Sequence, residues 1–318
     1  MSARSWVVVR WTIALALLLV VLSRFDLAAV GTRLASVDAR LAAVGIFGLV
    51  AVHLVGALSW RRLLNRLAGV RLDWPSTIRL YYAAQAVGAV TPGNLGADVY
   101  RVAAVDAGAG RGAVALPIVV QRVTSIAALI VLGGLGALAL PMVGGALLAA
   151  SAAVVLAGLI ATVAILVAWA RWGGGAVARL TRRLGVGERT LADSGAWASV
   201  ARDGFGLGLL FHVVSLALGL ILVAAVDPAT AGRTVDVLAA LAVARLSLAI
   251  PISPSGLGIQ EGALGLLFVQ MGLEPDVAMA AMLLNRLALV GAVLGGAIAL
   301  LARPRSGTAP SHGLEVIR

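Results

Sequence analysis

The chain has 318 residues, of which 61% are hydrophobic and 12% are charged, and its formal net charge is +11. Soluble domains carry roughly 25% charged residues, so the composition excludes an ordinary soluble protein and predicts an all-α, polytopic membrane protein. The absence of cysteine excludes disulfides and thiolate sites. Arginines cluster in short segments between apolar runs, which is typical of cytoplasmic loops, so we expect no nucleic-acid partner.

The first apolar segments predict two crossings of the membrane. They cover about Trp6 to Ser23 and about Leu41 to Trp60. Arginines occupy positions 61, 62, 66 and 71, directly after the second crossing. We therefore expect a cytoplasmic loop there, an external loop over about 24–40 and a cytoplasmic N-terminus.

The next segment predicts a re-entrant hairpin. Its apolar part, Ser76 to Val90, has about 15 residues and is short for a crossing. The helix breakers of TPGNLGAD follow, and then a stretch with Asp98, Arg101 and Asp106. Because neither half spans well alone, we expect the hairpin to enter from the cytoplasm and return there.

Three further crossings are predicted in the middle of the chain. The first crosses outward over Gly112 to Leu140, and the second crosses back over Val143 to Ala170. A second basic cytoplasmic loop follows over about Arg171 to Asp203. Phe205 to Val226 then crosses outward. The order agrees with the arginine distribution.

The C-terminal part predicts a second hairpin and a last crossing. Apolar residues run from Val235 to Ile250, breakers occupy 251–258, and apolar residues continue to Met271. Met279 to Ala302 crosses back to the inside, and the polar tail 303–318 is expected to be disordered and cytoplasmic. Residues 1–302 are thus predicted to form a single membrane domain of about six spanning helices and two re-entrant half-helix hairpins, with both termini cytoplasmic.

The two hairpins share a motif. TPGNLGAD at 91–98 matches SPSGLGIQE at 253–261 in its hydroxyl residue, proline, Leu-Gly pair and final acid. An arginine preceded by an amide side chain follows each acid at similar spacing, as Gln121-Arg122 and Asn285-Arg286. The sequence therefore predicts two repeat units, about 76–140 and about 238–302, inserted from opposite sides as an inverted repeat.

The motif chemistry favours an anionic ligand. Half-helices beginning near Gly96 and Gly258 would direct free N–H groups and positive dipole ends at the breaks, where a phosphate or carboxylate fits. A charge inside the membrane costs at least about 2.5–3.5 kcal/mol on insertion scales, so Arg122, Arg245 and Arg286 each need a partner or a cavity. Three arginines against two acids leave one positive charge in excess.

The sequence predicts a substrate-binding site at these motifs, with two alternatives for its charged residues. The predicted residues are Pro92, Gly93, Asn94, Gly96, Asp98, Arg101, Arg122, Arg245, Ser253, Pro254, Ser255, Gly256, Gly258, Glu261, Asn285 and Arg286. Asp98 and Glu261 could serve as helix caps instead of functional acids. The arginines could form static ion pairs, such as Glu261 with Arg286, that hold the repeats together.

Other polar and aromatic residues of the apolar segments receive structural interpretations. Tyr81, Tyr82 and Trp74 are interpreted as anchors at the membrane interface. His53 and His212 are interpreted as packed or hydrogen-bonded side chains because no metal-ligand spacing accompanies them. We predict no metal site, no cofactor and no catalytic residue.

The paired motifs TPGNLGADVYR and SPSGLGIQEGAL, with QR and NR downstream, resemble those of the lysylphosphatidylglycerol synthase transmembrane-region family, also called flippase-like or UPF-type integral membrane proteins. The resemblance extends over about 10–302. Pro92, Gly96, Asp98 and Arg101 match the first motif, Pro254, Gly256, Gly258 and Glu261 match the second, and Arg122 and Arg286 match the arginine positions. Ala97-Asp98 stands where many relatives have Gly-Glu, which leaves open which acid is equivalent to Glu261.

The resemblance implies lipid translocation. In multiple peptide resistance factors a domain of this kind moves aminoacylated phosphatidylglycerol, and other members are associated with envelope glycoconjugates and polyprenyl-linked sugars. We therefore expect a non-enzymatic, multi-pass protein of a bacterial or archaeal plasma membrane that moves an anionic phospholipid, an aminoacylated phospholipid or a polyprenyl-linked sugar. The family's synthases add a soluble aminoacyl-transfer domain, for which the polar segments of this sequence leave no room.

Two other classes of function compete with translocation. One is a membrane-embedded transferase acting on a lipid phosphate, with Asp98 or Glu261 as general base or metal ligand. The other is a scaffold for a cell-envelope glycosyltransferase. An envelope glycosyltransferase or an aminoacyl-lipid synthase is the candidate protein partner, and the oligomeric state stays open.

Overall fold

The described part of the chain has helices as its regular secondary structure and contains no strand. The computed structural model describes residues 25–89, 94–105, 111–140, 194–249 and 257–302, and in addition Thr12, Leu19, Val20, Ser23 and Thr91. The α-helices are α1 Leu27–Ala35, α2 Ala39–Ala51, α3 His53–Ala68, α4 Trp74–Ala89, α5 Leu95–Ala104, α6 Arg111–Ala139, α7 Ser194–Val226, α8 Thr234–Arg245, α9 Ile259–Gln270 and α10 Pro275–Leu301. Pro228–Arg233 and Leu246–Ala249 are 3₁₀ helices.

Among the residues that the structure describes, four helical stretches are long and apolar enough to cross a membrane. They are Ala39–Ala68, formed by α2 and α3 together, and Ala113–Ala139, Trp197–Val226 and Pro275–Leu301. Each contains most of a predicted crossing. The other two predicted crossings, Trp6 to Ser23 and Val143 to Ala170, lie almost entirely outside the described residues, as does the tail 303–318.

The surface of these helices suits a lipid environment. Large apolar side chains such as Phe47, Leu138 and Ile298 are between 60% and 72% exposed. Large apolar side chains exposed in such number mark a membrane or partner contact in a folded protein. The fold is that of a membrane-embedded helical bundle.

Three predicted boundaries were wrong. The predicted external loop at 24–40 contains α1, which begins because the Asp26 carboxylate accepts the N–H groups of Ala28 and Ala29. Helix α3 continues beyond the predicted crossing to Ala68, so Arg61, Arg62 and Arg66 lie on a helix instead of in a loop. Gly69, at φ +67°, ends this helix.

The third difference concerns the start of α7. The sequence predicts a basic loop up to Asp203, but the helix already begins at Ser194. Trp197 and Val200 are buried there against Leu63 and Leu116 in a common apolar cluster. The Arg66–Asp203 ion pair, with Nη2 and Oδ2 2.9 Å apart, also joins α3 to α7. These contacts across α3, α6 and α7 stabilise helical structure in a segment whose local composition favours a loop.

The helices of the two predicted repeat units pack against each other in a reciprocal way. Helix α4 of the first unit packs along α10 of the second, and α8 of the second packs along α6 of the first. Gly296 lets the α10 backbone approach the Tyr82 carbonyl, and Gly136 lets α6 approach the Ala239 carbonyl. Small residues at such positions permit close helix contact in membrane proteins. The two units thus share one interface instead of forming separate bundles.

Candidate functional site

Two short helices begin close to where the motif predicts half-helices. Helix α5 begins at Leu95, after Asn94 at φ +59°. Helix α9 begins at Ile259, after Gly258 at φ +82°. A left-handed backbone interrupts a right-handed helix, and asparagine and glycine are the residues that adopt it most readily. Both starts lie within one residue of the predicted Gly96 and Gly258.

The two acids have different roles at these helix starts. Glu261 lies at the third position of α9, and its Oε2 accepts the Gly258 N–H at 2.8 Å, so it caps its own helix. In α5 the Thr91 hydroxyl accepts the Gly96 N–H at 2.8 Å instead. Asp98 therefore does not cap α5. Of the two alternatives, capping applies to Glu261 and not to Asp98.

In the first unit, Asp98 lies between two arginines. Its Oδ1 is 2.5 Å from Arg101 Nη2, and its Oδ2 pairs with Arg122 Nε. Arg101 also donates from Nη1 to Gln121 Oε1 at 2.8 Å, and Gln121 donates to the Gly56 carbonyl at 2.8 Å. This chain of contacts connects α5 to α6 and α3.

Aromatic side chains complete the environment of Arg101. The guanidinium carbon lies 5.5 Å from the centres of both the Trp60 and the Tyr81 rings, a distance at which cation–π attraction operates. Tyr81 is buried and the Tyr82 hydroxyl donates to the Val50 carbonyl at 2.6 Å. The interpretation of Tyr81 as an interfacial anchor was wrong, because its side chain is buried beside Arg101.

In the second unit, Glu261 forms the predicted ion pair with Arg286. The carboxylate Oε1 accepts from Arg286 Nε at 2.6 Å and lies 2.5 Å from Nη2. Glu261 is buried, and the pair joins α9 to α10 within one unit. The matching pair in the first unit is Asp98 with Arg122, which joins α5 to α6. Each unit therefore places its acid and its downstream arginine in contact, as the similar spacings suggest.

A cavity lined by both polar and apolar side chains lies where the two units meet. Its volume is about 260 Å³. Its polar lining residues are His53, Gln85, Asn94, His212, Ser215, Arg245, Gln260, Asn285 and Arg286. They come from α3, α4, the start of α5, α7, α8, α9 and α10, so neither unit forms the cavity alone. Among the described residues that line it there are two arginines and no carboxylate.

Of the two arginines, Arg245 is the one whose positive charge has no carboxylate partner among the described residues. It is buried at the end of α8, and its Nη2 donates to the Ser215 carbonyl at 3.1 Å. No carboxylate of the described residues lies within ion-pair distance of it, whereas Arg286 has Glu261. A buried guanidinium that faces a cavity without a counter-charge attracts an anion.

The two histidines lie at this cavity on α3 and α7. His212 Nε2 is 3.1 Å from Ser125 Oγ and 3.2 Å from the Ser125 carbonyl, which confirms the interpretation of a hydrogen-bonded side chain. The His53 ring packs 5.8 Å from Phe211 and 6.2 Å from Tyr82. Sequence reasoning did not assign either histidine to the site because a lone histidine in an apolar span carries no spacing signal.

The structure divides the predicted site residues into three groups. Asn94, Arg245, Asn285 and Arg286 line the cavity. Asp98, Arg101 and Arg122 form the network of the first unit, while Gly96, Gly258 and Glu261 lie at the helix starts. The remaining six, Pro92, Gly93, Ser253, Pro254, Ser255 and Gly256, lie outside the described residues.

The family comparison agrees with this architecture. A family profile described as the lysylphosphatidylglycerol synthase TM region matches residues 7–296. The chain belongs to this family. Membership indicates a membrane protein of lipid metabolism or translocation. No curated protein and no solved structure shows significant similarity to the chain.

Proposed function

We propose that the protein is a lipid translocator that moves an anionic phospholipid, an aminoacylated phospholipid or a polyprenyl-linked sugar across the plasma membrane. The observation that carries the proposal is the cavity of about 260 Å³ between the two units, into which Arg245 and Arg286 project without a lining carboxylate among the described residues. A phosphate is the charged group common to these lipids.

The arrangement of the two units supports a transport role. They pack reciprocally, α4 on α10 and α8 on α6. In each unit an acid in the first turn of a short helix pairs with an arginine of the following long helix. We interpret them as an inverted repeat with hairpins entering from opposite sides, six crossings in all and both termini cytoplasmic. Transporters with such repeats bind substrate near the midplane and expose it alternately by movement of one unit against the other.

The size of the cavity also favours transport of a lipid through its headgroup. Pockets for whole ligands have volumes of about 300–1,000 Å³, so 260 Å³ suits a headgroup and not a lipid with its chains. Acyl or prenyl chains would remain in the bilayer while the polar headgroup passes the cavity. The protein then lowers the cost of moving a charge through hydrocarbon and needs no covalent step.

The test is lipid movement and lipid chemistry measured in the same vesicles. Purified full-length chain is reconstituted into proteoliposomes with acyl-labelled fluorescent phosphatidylglycerol, and inner-leaflet label is quantified by its protection from a membrane-impermeant quencher. We expect label to move between leaflets faster than in protein-free vesicles, with the lipid chemically unchanged. Turnover of an added lipid-linked sugar donor without leaflet exchange would indicate the transferase instead.

A further inference from the structure

The side chains that line the cavity between the two units indicate which headgroup it binds, in addition to the sign of its charge. Four amide side chains face it, Gln85, Asn94, Gln260 and Asn285, from α4, the start of α5, α9 and α10. Both repeat units contribute a glutamine or asparagine. An amide offers two donors and one acceptor group, which matches a hydroxyl group that both donates and accepts.

Three of these amides have no side-chain hydrogen bond to another described residue. They are Asn94, Gln260 and Asn285, and Gln260 is only 6% exposed. Buried polar groups in folded proteins are nearly always hydrogen-bonded, so the buried Gln260 amide calls for a partner, and the half-buried Asn94 and Asn285 face the same cavity. A ligand carrying several hydroxyl groups would supply the partners in the cavity.

The charge of the lining opposes a cationic headgroup. Arg245 and Arg286 both face the cavity, and the nearest carboxylate, Glu261, is engaged by Arg286 and the Gly258 N–H. An ammonium group in the cavity would lie beside guanidinium groups with no lining carboxylate among the described residues. Like charges at close range in a site that excludes water repel strongly.

The geometry points to a phosphate lipid with a neutral, hydroxyl-bearing headgroup, a glycerol or a sugar, as the ligand of this cavity, and to rejection of aminoacylated headgroups. Arg245 binds the phosphate and the amides bind the hydroxyls. This inference rests on the proposed function, which by itself includes all three lipid classes. Two lipids supply the chemistry, phosphatidylglycerol and a polyprenyl-phosphoryl hexose.

The experiment measures binding, independently of transport. The purified full-length chain in detergent is titrated with short-chain fluorescent phosphatidylglycerol, and four unlabelled lipids compete for binding. Phosphatidylglycerol and polyprenyl-phosphoryl glucose carry hydroxyls, phosphatidylmethanol has the same charge as phosphatidylglycerol without them, and lysyl-phosphatidylglycerol is cationic. We expect at least one hydroxyl-bearing lipid to compete about tenfold more strongly than the last two, and the stronger of the pair identifies the source.

Two variants distinguish the contribution of the amide side chains to lipid preference from a general effect of the substitution on packing. Asn285→Leu is expected to reduce competition by the preferred lipid to the level of phosphatidylmethanol. Asn65→Leu, at an exposed asparagine on α3, is the matched control and should leave the preference unchanged. The comparison of lipids on the unaltered protein needs no variant, so it remains decisive even where Asn285→Leu does not fold.

Failure of the inference differs from failure of the proposed function. The inference is overturned if lysyl-phosphatidylglycerol or phosphatidylmethanol competes as strongly as the better of the two hydroxyl-bearing lipids. It is also overturned if neither fluorescent phosphatidylglycerol nor fluorescent polyprenyl-phosphoryl glucose binds. Selective binding without any leaflet exchange in proteoliposomes overturns translocation and leaves the binding assignment intact.

Discussion

Arg245 and Arg286 line the same cavity, but only Arg286 has a carboxylate partner among the described residues. Arg286 contacts Glu261 Oε1 through Nε at 2.6 Å and Nη2 at 2.5 Å, while Arg245 donates to the Ser215 carbonyl at 3.1 Å. The difference assigns the two arginines separate tasks. Arg286 holds α9 to α10, and Arg245 is the group left to attract a ligand anion.

Removing Arg286 is expected to affect folding first. Arg286→Gln leaves Glu261 buried without its counter-charge, which costs about 3–5 kcal/mol for a buried pair. We expect a lower yield of folded protein and a lower unfolding temperature in detergent, measured by size-exclusion chromatography and thermal denaturation. The double variant Glu261→Gln with Arg286→Gln removes both charges and should recover most of the loss. A double variant no more stable than Arg286→Gln alone would show that the pair is not the source of the effect.

The close contact of α10 with α4 is expected to depend on Gly296. A Cβ at this position would collide with the Tyr82 carbonyl oxygen, so Gly296→Ala must separate the helices and should cost about 1–3 kcal/mol. Gly206→Ala, on α7, is the matched control because nothing lies within 4 Å of its added Cβ. A helical alanine there should be neutral or stabilising by about 0.5–1 kcal/mol. Equal unfolding temperatures for both variants would contradict the described contact between the units.

The proposed topology places the C-terminal end of α3 and the N-terminal end of α10 on opposite sides of the membrane. The chain has no native cysteine, so single cysteines can be introduced without background. Arg62→Cys, at an exposed position that avoids the Arg66–Asp203 pair, should label from the cytoplasmic side, and Glu274→Cys from the outside. Labelling of both by an impermeant reagent from the same side would contradict the inverted repeat.

Much of the local structure was predictable from the sequence because it depends on residues with strong backbone preferences. The breaks before Leu95 and Ile259 follow from asparagine, glycine and proline, and the acid–arginine pairs follow from matched spacing in two motifs. The pairing of Glu261 with Arg286 could be stated as an alternative because both charges lie in apolar sequence, where each needs a partner.

The cavity could not be predicted because it depends on how separate helices pack. His53, Gln85 and His212 carry no motif, and α3, α4 and α7 bring them to the cavity only through contacts far apart in sequence. The early start of α7 has the same origin, since buried Trp197 and Val200 outweigh the loop-like composition around them. Tyr81 was misassigned for this reason as well: an aromatic residue near a predicted interface and one stacked on a buried arginine look alike in sequence.

The most direct test of the central claim is the translocation rate of Arg245→Gln in proteoliposomes, compared with Arg202→Gln. Arg202 is an exposed arginine on α7, with 77% of its side chain accessible, and serves as the charge-matched control. A hydrogen bond to a charged group contributes about 1.5–3 kcal/mol, so loss of the Arg245 contact should slow phosphatidylglycerol movement by about ten- to a hundredfold. We predict this loss at normal folded yield, because the described residues contain no carboxylate that the change would leave unpaired. For Arg202→Gln we predict a rate near that of the unaltered protein. An Arg245→Gln protein that folds and moves lipid as fast as the control would contradict the claim that this cavity is the path of the headgroup.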